Sequence, residues 1–332
     1  MLRLLVIGGG SIGKRHTKNL LALGVNNLVI VEPDQARALE IQKTLQVKVA
    51  TSIEVACEQS AFDAAVICSP SRFHPEHALL CSEKGMHLFI EKPAAPSKEG
   101  IAALDVIAKN KKIITMVGSN WKFHPLFQKM KILIEDGVVG KILSARCQFG
   151  QYLPDWHPWE DYRRGYSANQ KLGGGILLDS HEFDYLTWFL GPVSTLISLS
   201  GKVSGLEIDV EDVAETILRF ESGAIGEIHV DYIQRFYQRE FEFFGETGSI
   251  SWSAKDKKVV LESVGKDAQE FVLPADYDTN DMYVEEMKHF LHCVETNTQT
   301  ITPLEQGIRV VELILAAKES NQNGRAITFS KL

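Results

Sequence analysis

Near the amino terminus the apolar run Leu4-Leu5-Val6-Ile7 passes directly into Gly8-Gly9-Gly10-Ser11-Ile12-Gly13-Lys14-Arg15, and this junction limits the possible folds more than any other stretch. Gly8, Gly10 and Gly13 satisfy G-x-G-x-x-G behind a strand and ahead of a helical pattern. The first glycine of such a turn closes it tightly, the second lets backbone amides approach a pyrophosphate, and the third lets helix pack on strand. The helix then offers free N–H groups and its positive end to the phosphates. The expected contacts are Gly8, Gly10, Ser11, Ile12 and Gly13, with Arg15 on the helix. Glu32 ends the next apolar run nineteen residues after Gly13. A carboxylate there accepts from the adenosine ribose hydroxyls and repels a 2′-phosphate, which favours NAD over NADP. Because Pro33 and Asp34 begin a turn, a merely solvated carboxylate is the competing reading.

Short apolar runs continue at 28–31, 63–68, 88–90 and 113–118, separated by amphipathic stretches at 15–23, 35–45, 75–84 and 101–108. Strands lacking polar alternation are buried on both faces, as in a parallel sheet covered by helices. The first part therefore reads as a doubly wound α/β domain over residues 1–121. Beyond it, alternating runs at 214–220, 226–232, 240–244 and 248–252 are divided by turn residues and predict an antiparallel sheet. Helical patterns follow near 280–296 and 303–320. The fold class expected for residues 122–332 is α+β with a large, mostly antiparallel open sheet, whose final helices are able to pack back on the first domain.

The formal net charge of −8 over 332 residues provides no basic face for nucleic acid. The one basic cluster, Lys14-Arg15-His16 with Lys18, falls where a cofactor phosphate would be met. Cys57, Cys68, Cys81, Cys147 and Cys293 are scattered without a CxxC pair, which gives no zinc site or disulfide framework and fits a reducing compartment. His289 and His292 share a helix face without a third ligand, so no metal is expected. No apolar stretch of about 20 residues is present to span a membrane. A soluble, cytoplasmic protein is the expectation.

Four further segments carry a family signature: Cys68-Ser69-Pro70-Ser71 with His74; Gly85 through Glu91-Lys92-Pro93; Asn120 with Phe123 and Pro125; and Gly173-Gly174-Gly175 leading to Asp179, His181 and Asp184. With the glycine-rich turn they resemble the Gfo/Idh/MocA family, named for glucose–fructose oxidoreductase and inositol dehydrogenase. The resemblance covers most of the chain, and Glu-Lys-Pro is its most specific piece. It implies that Ser69 and Pro70 line the nicotinamide side of NAD, with His74, Glu91 and Asn120 also on the cofactor side. It implies that Lys92, often through a cis Lys–Pro bond, meets both nicotinamide and substrate hydroxyl. Without that context Lys92 would read as a surface lysine. Ser71 and Lys122 replace the family's frequent asparagine and arginine.

The resemblance also implies a catalytic aspartate and histidine, here Asp179 and His181. At about 100° per residue, a spacing of two puts them on nearly opposite faces of one helix. If both serve one site, Asp179 must precede the helix proper, as an N-cap would. The competing reading of His181 is a histidine satisfied in a domain interface. Residues 151–166 crowd Trp156, Trp159, Tyr162, Arg163 and Arg164 among turn formers. Aromatic faces suit sugar rings and an arginine fork suits a carboxylate, so Trp156, Tyr162 and Arg163 join Lys92 and His181 as expected substrate contacts. A structural plug explains the same loop equally well.

The resulting expectation is an NAD-dependent dehydrogenase acting on CH–OH groups of a sugar-like substrate. Two alternatives stay open. One is a lyase or epimerase that keeps its NAD; the other is a non-catalytic NAD(H)-binding protein, for which an acid–base pair has no use. An open sheet leaves apolar area to cover, and the resemblance points to the same outcome, a homodimer or homotetramer.

Overall fold

The computed structural model describes residues 2–330 except 111 and 180. They form two compact units, Met1–Asn120 with Thr279–Val311, and Trp121–Asp278 with Glu312–Leu332. The first holds β1 (Leu4–Ile7), α1 (Ser11–Ala22), β2 (Leu28–Val31), α2 (Gln35–Leu45), β3 (Lys48–Ala50), α3 (Ile53–Gln59), β4 (Ala64–Ile67), α4 (His74–Glu83), β5 (His87–Ile90), α5 (Lys98–Ala108) and β6 (Thr115–Val117). All six strands are parallel, in the order β3-β2-β1-β4-β5-β6. Leu4, Leu5 and Val6 of β1, all of β4, and Leu88, Phe89 and Ile90 of β5 are completely buried. That is the double-sided burial which continuous apolar runs require.

Register aligns the strand ends. Ile7 pairs with Val31 and Ile67, Ile67 with Ile90, and Ile90 with Val117. The residues that follow, Gly8, Glu32, Cys68, Glu91 and Gly118, therefore lie in one row along the carboxyl edge. Strand order reverses between β1 and β4, the place where ligands bind in open parallel sheets.

The second unit contains α6 (Pro125–Glu135), β7 (Ile142–Gly150), α7 (Ile176–Asp179), α8 (Glu182–Leu190), β8 (Val193–Gly201), β9 (Val213–Phe220), β10 (Ile225–Asp231), β11 (Gln238–Gly245), β12 (Gly248–Ser253), β13 (Lys258–Ser263) and β14 (Gln269–Val272). The chain next makes α9 (Asp281–Thr296) in the first unit, then α10 (Leu304–Asn323) and finally β15 (Ile327–Thr328), which pairs with β8. The nine strands run β14-β13-β12-β11-β7-β10-β9-β8-β15. They are antiparallel except for β7 and β10, which are parallel neighbours. One face is apolar and buried, with Leu218, Ile228, Phe241 and Phe243 at 0% exposure. Phe127 of α6 and Phe189 of α8 meet Phe241 at ring distances of 5.2 and 6.0 Å. The other face is open: Ile197, Leu199, Ile217 and Ile225 remain 42–69% exposed among charged residues.

Candidate active site

The glycine-rich turn follows from close approach. Gly8 has φ +100°, and a Cβ there would stand 2.7 Å from the Cys68 carbonyl oxygen. A Cβ on Gly13 would stand 1.9 Å from the Gly8 carbonyl, so α1 lies directly on the turn. Gly10 has nothing within 4 Å of its Cβ position, which leaves open space beside the backbone. Gly10 is also the N-cap of α1 and supplies no side-chain cap, and the first turn contains no acidic residue. The first-turn N–H groups, from Ser11, Ile12 and Gly13, thus offer an uncapped positive helix end. This fits a pyrophosphate.

Glu32 is 3% exposed. Its carboxylate accepts from Gly9 N–H and Asp34 N–H, both at 3.0 Å, and Arg37 Nη1 lies 3.3 Å away. The carboxylate is held at the tip of β2 rather than loose in a loop. At Gly9, which the fingerprint leaves free to vary, a Cβ would stand 2.3 Å from the terminal Ile41 Cδ1 and 3.0 Å from Glu32 Oε2, so both side chains would have to shift.

The basic cluster is largely committed within the protein. Lys14 pairs with Glu40 at 2.6 Å, and the Arg15 guanidinium lies 4.4 Å over the Tyr283 ring. His16 is fully buried and sets Nε2 2.6 Å from Glu91 Oε1. Glu91 therefore turns its carboxylate toward α1, while its Oε2 accepts from the Lys92 N–H at 3.2 Å. Burial raises the Glu91 carboxyl, but the His16 hydrogen bond and the neighbouring charges outweigh it and hold the group below its ordinary range. The Lys92–Pro93 peptide is cis.

His74 is 1% exposed, with Nδ1 2.8 Å from the Pro93 carbonyl and Nε2 2.7 Å from the Ser69 carbonyl. It ties the Ser69-Pro70 loop to the Lys-Pro turn, and burial depresses its pKa. Ser69 Oγ lies 2.9 Å from His77 Nδ1, a partner that sequence reading missed although it stands one helical turn after His74. Asn120 is buried and donates to Met282 Sδ at 3.2 Å. On α9, His289 Nε2 accepts from the Ile301 N–H at 3.0 Å.

In the second unit Asp179 ends α7 and is 3% exposed. Its carboxylate accepts from three hydroxyls: Tyr166, Ser167 at 2.6 Å and Tyr232 at 3.0 Å. Burial, then the Asp179 charge, raise the Tyr232 phenol, which keeps it a donor. The N-cap of α8 is His181 rather than Asp179, so the short α7 separates the aspartate from the histidine's helix. The His181 ring stacks on Tyr185 at 5.4 Å and 10°, and the His181 backbone N–H donates to Glu182 Oε2 at 2.8 Å. Glu182 is fully buried with Arg239 Nε 3.0 Å from Oε1. The Arg239 guanidinium lies 4.3 Å over Phe149 and 5.0 Å over Trp121. Lys122, also fully buried, donates to Asp184 Oδ1 at 2.6 Å.

Within the aromatic loop, Trp156 packs edge-on against Tyr232 at 5.3 Å and so backs the Asp179 hydroxyls. The Arg163 fork closes on Asp161 at 2.8 and 3.0 Å, with Nη1 3.3 Å from Glu207. Tyr162 OH accepts from the Glu207 N–H at 3.2 Å. Tyr162 and Arg163 thus fasten the loop to residue 207, while Trp159 stays 75% exposed.

Comparison with known proteins agrees with both units. Residues 2–119 match the oxidoreductase family with an NAD-binding Rossmann fold, and residues 127–251 match the GFO/IDH/MocA C-terminal domain. The chain is 29% identical to a myo-inositol 2-dehydrogenase of Thermotoga maritima, over 100% of this chain and 99% of that protein. It is 26% identical to the scyllo-inositol 2-dehydrogenase (NAD(+)) of Bacillus subtilis, over 98% and 96%. In fold it is similar to a levoglucosan dehydrogenase in complex with NADH and levoglucosan, with a TM-score of 0.89, 22% identity, and coverage of 99% and 100%. The glycine-rich turn, the Glu-Lys-Pro strand end and the nine-stranded sheet are thus explained together: the chain belongs to the GFO/IDH/MocA family of NAD-binding oxidoreductases.

Proposed function

We propose that this protein reversibly oxidises a secondary alcohol on a polyhydroxylated, sugar-like substrate. The observation that best supports this reading is the row of strand ends in the parallel sheet. One register line puts the pyrophosphate turn at Gly8, the ribose carboxylate Glu32 and the Glu91-Lys92 strand end side by side. The polyol and sugar dehydrogenases among the relatives support the substrate class.

NAD, when bound, supplies the hydride acceptor. Residues of this chain perform the remaining tasks. Amides of the Gly8–Gly13 turn bind the pyrophosphate, and Glu32 accepts from the ribose. Ser69 and Pro70 border the nicotinamide, with His74 fixing their loop. Lys92 orients the substrate hydroxyl and receives its proton, with His181 as the second acid–base group. Asp179 aligns the Tyr166, Ser167 and Tyr232 hydroxyls, and Trp156 supplies an apolar face for a sugar ring. The open sheet face pairs with a second copy of the chain. The five free cysteines fit the reducing cytoplasm, and among the described residues no helix is long and apolar enough to cross a membrane.

Fluorescence titration with NADH and NADPH tests the cofactor half, with inositols and anhydrosugars then screened for NAD reduction. NADH should bind at least about tenfold tighter than NADPH, and Glu32→Ala should narrow that gap. Equal affinity for the two, or none for either, would overturn the assignment.

A further inference from the structure

His16 lies outside the roles assigned above. It sits one turn into α1, completely buried, with Nε2 2.6 Å from Glu91 Oε1. Its Nδ1 has no hydrogen-bond partner among the described residues. The ring packs T-shaped against Phe89 and Tyr283, with centroids 5.2 and 6.1 Å away. A proton on Nδ1 would be a buried donor without an acceptor, whereas a proton on Nε2 is donated to a carboxylate. The geometry therefore makes the His16 Nε2–H the donor to the Glu91 carboxylate. Gly118 is shaped to admit that carboxylate, since a Cβ there would stand 3.0 Å from Glu91 Oε2. The same Oε2 accepts the Lys92 N–H at 3.2 Å.

We infer that His16 and Glu91 form a buried positioning pair that anchors the Lys92 peptide and maintains one negative charge beside the Lys92 ammonium. The inference rests on the reading of Lys92 as the group that meets the substrate hydroxyl. The favourable interaction between Glu91 and Lys92, and the depressed Glu91 carboxyl, agree with it. Without the His16 donor, Glu91 would be a buried carboxylate lacking its strongest partner and would take up a proton. The charge beside Lys92 would then disappear. A glutamine at position 16 can present an amide N–H where Nε2–H now stands; leucine fills similar space and donates nothing.

The test is trace acetylation of the whole, cofactor-free protein at pH 8, read by peptide mass spectrometry. The rate at Lys92 is taken relative to the exposed Lys266. An opposite charge favours an ammonium over its free amine, and one pKa unit is a tenfold change in free amine. Glu91→Gln and His16→Leu should each accelerate Lys92 labelling by about that factor, while His16→Gln stays within about twofold of wild type. A packing role for His16 predicts the reverse order, with leucine near wild type and glutamine disturbed. Wild-type labelling in folded His16→Leu, or equal acceleration in the glutamine and leucine variants, would overturn the inference. If His16→Leu does not fold, Glu91→Gln and His16→Gln decide: acceleration in the first alone supports the pair, and equal rates reject it. Turnover of Lys92→Ala is measured separately. Retained turnover rejects the assignment of Lys92 to the chemistry, whatever the labelling shows. Lost turnover with an unaltered labelling pattern rejects only the pair.

Discussion

Lys92 illustrates how position makes an ordinary residue a candidate for chemistry. A lysine after a strand is usually solvated, but this one follows β5, in a row that includes the Gly8 turn. His74 and Glu91 hold the backbone on either side of it, through the Pro93 carbonyl and the Lys92 N–H. With acid–base catalysis contributing about 10²–10⁴-fold, Lys92→Ala should lower kcat by that factor. NADH affinity should change less than about twofold, because phosphate and ribose contacts lie elsewhere. Stopped-flow turnover beside a fluorescence titration checks both; near-normal kcat would remove Lys92 from the mechanism. Sequence singled out Lys92, Glu32 and His181 as candidates. It could not show that His16 faces Glu91, or that Arg163 is engaged by Asp161, because those outcomes depend on side-chain direction in the folded units.

Among the elements, α1 depends on its contact with the turn before it. Gly13→Ala would drive a methyl to within 1.9 Å of the Gly8 carbonyl, a backbone atom unable to rotate away. Helix and turn must separate, at a cost of about 1–3 kcal/mol. A lower Tm together with lost NADH binding is expected, whereas unchanged binding would show that the turn tolerates the shift. In the sheet of the second unit, His229 on β10 lies 2.8 Å from Asp231 and 2.5 Å from Glu215 of β9. The Asp231 hydrogen bond, opposed by burial and aided by Glu215, lifts the His229 pKa to about 9. A histidine raised in the folded state stabilises fully below its unfolded value of about 6.5, and that contribution is lost as pH rises through about 9. Thermal melts from pH 6 to 10 should therefore show wild type above His229→Gln at low pH, with the gap closing toward pH 10. A gap independent of pH would exclude the charged pairing.

For the whole molecule, the open face of the nine-stranded sheet is the feature that one chain leaves unfinished. Ile197 and Ile217 are cross-strand partners at 45% and 44% exposure, with Leu199 at 69%. Such a face on a large sheet calls for a covering layer. The proposed pairing of two copies through this face predicts that Ile217→Lys gives a smaller species than wild type in multi-angle light scattering while NADH still binds; an unchanged mass would reject that pairing.

The sequence by itself determined the parallel strands β1, β2, β4 and β5, since uninterrupted apolar runs are stable only when buried on both faces. It also determined the cofactor turn, because glycines at 8 and 13 answer steric demands that no other residue meets, while Gly10 leaves the backbone open. It marked the alternating strands β9 to β12 as well. Tertiary structure decided what a local pattern does not encode. β3 is three residues long and partly exposed, so its apolar signal is weak. β7 gains its central place only by pairing parallel with β10 and antiparallel with β11. Asp179 and His181 are separated by the end of α7 and the cap of α8, and the three hydroxyls on Asp179 arrive from positions 166, 167 and 232. Local steric and hydrophobic rules act over a few residues and can be read from the chain. Partner choice for a buried charge is a contest among distant groups, and only the folded backbone settles it.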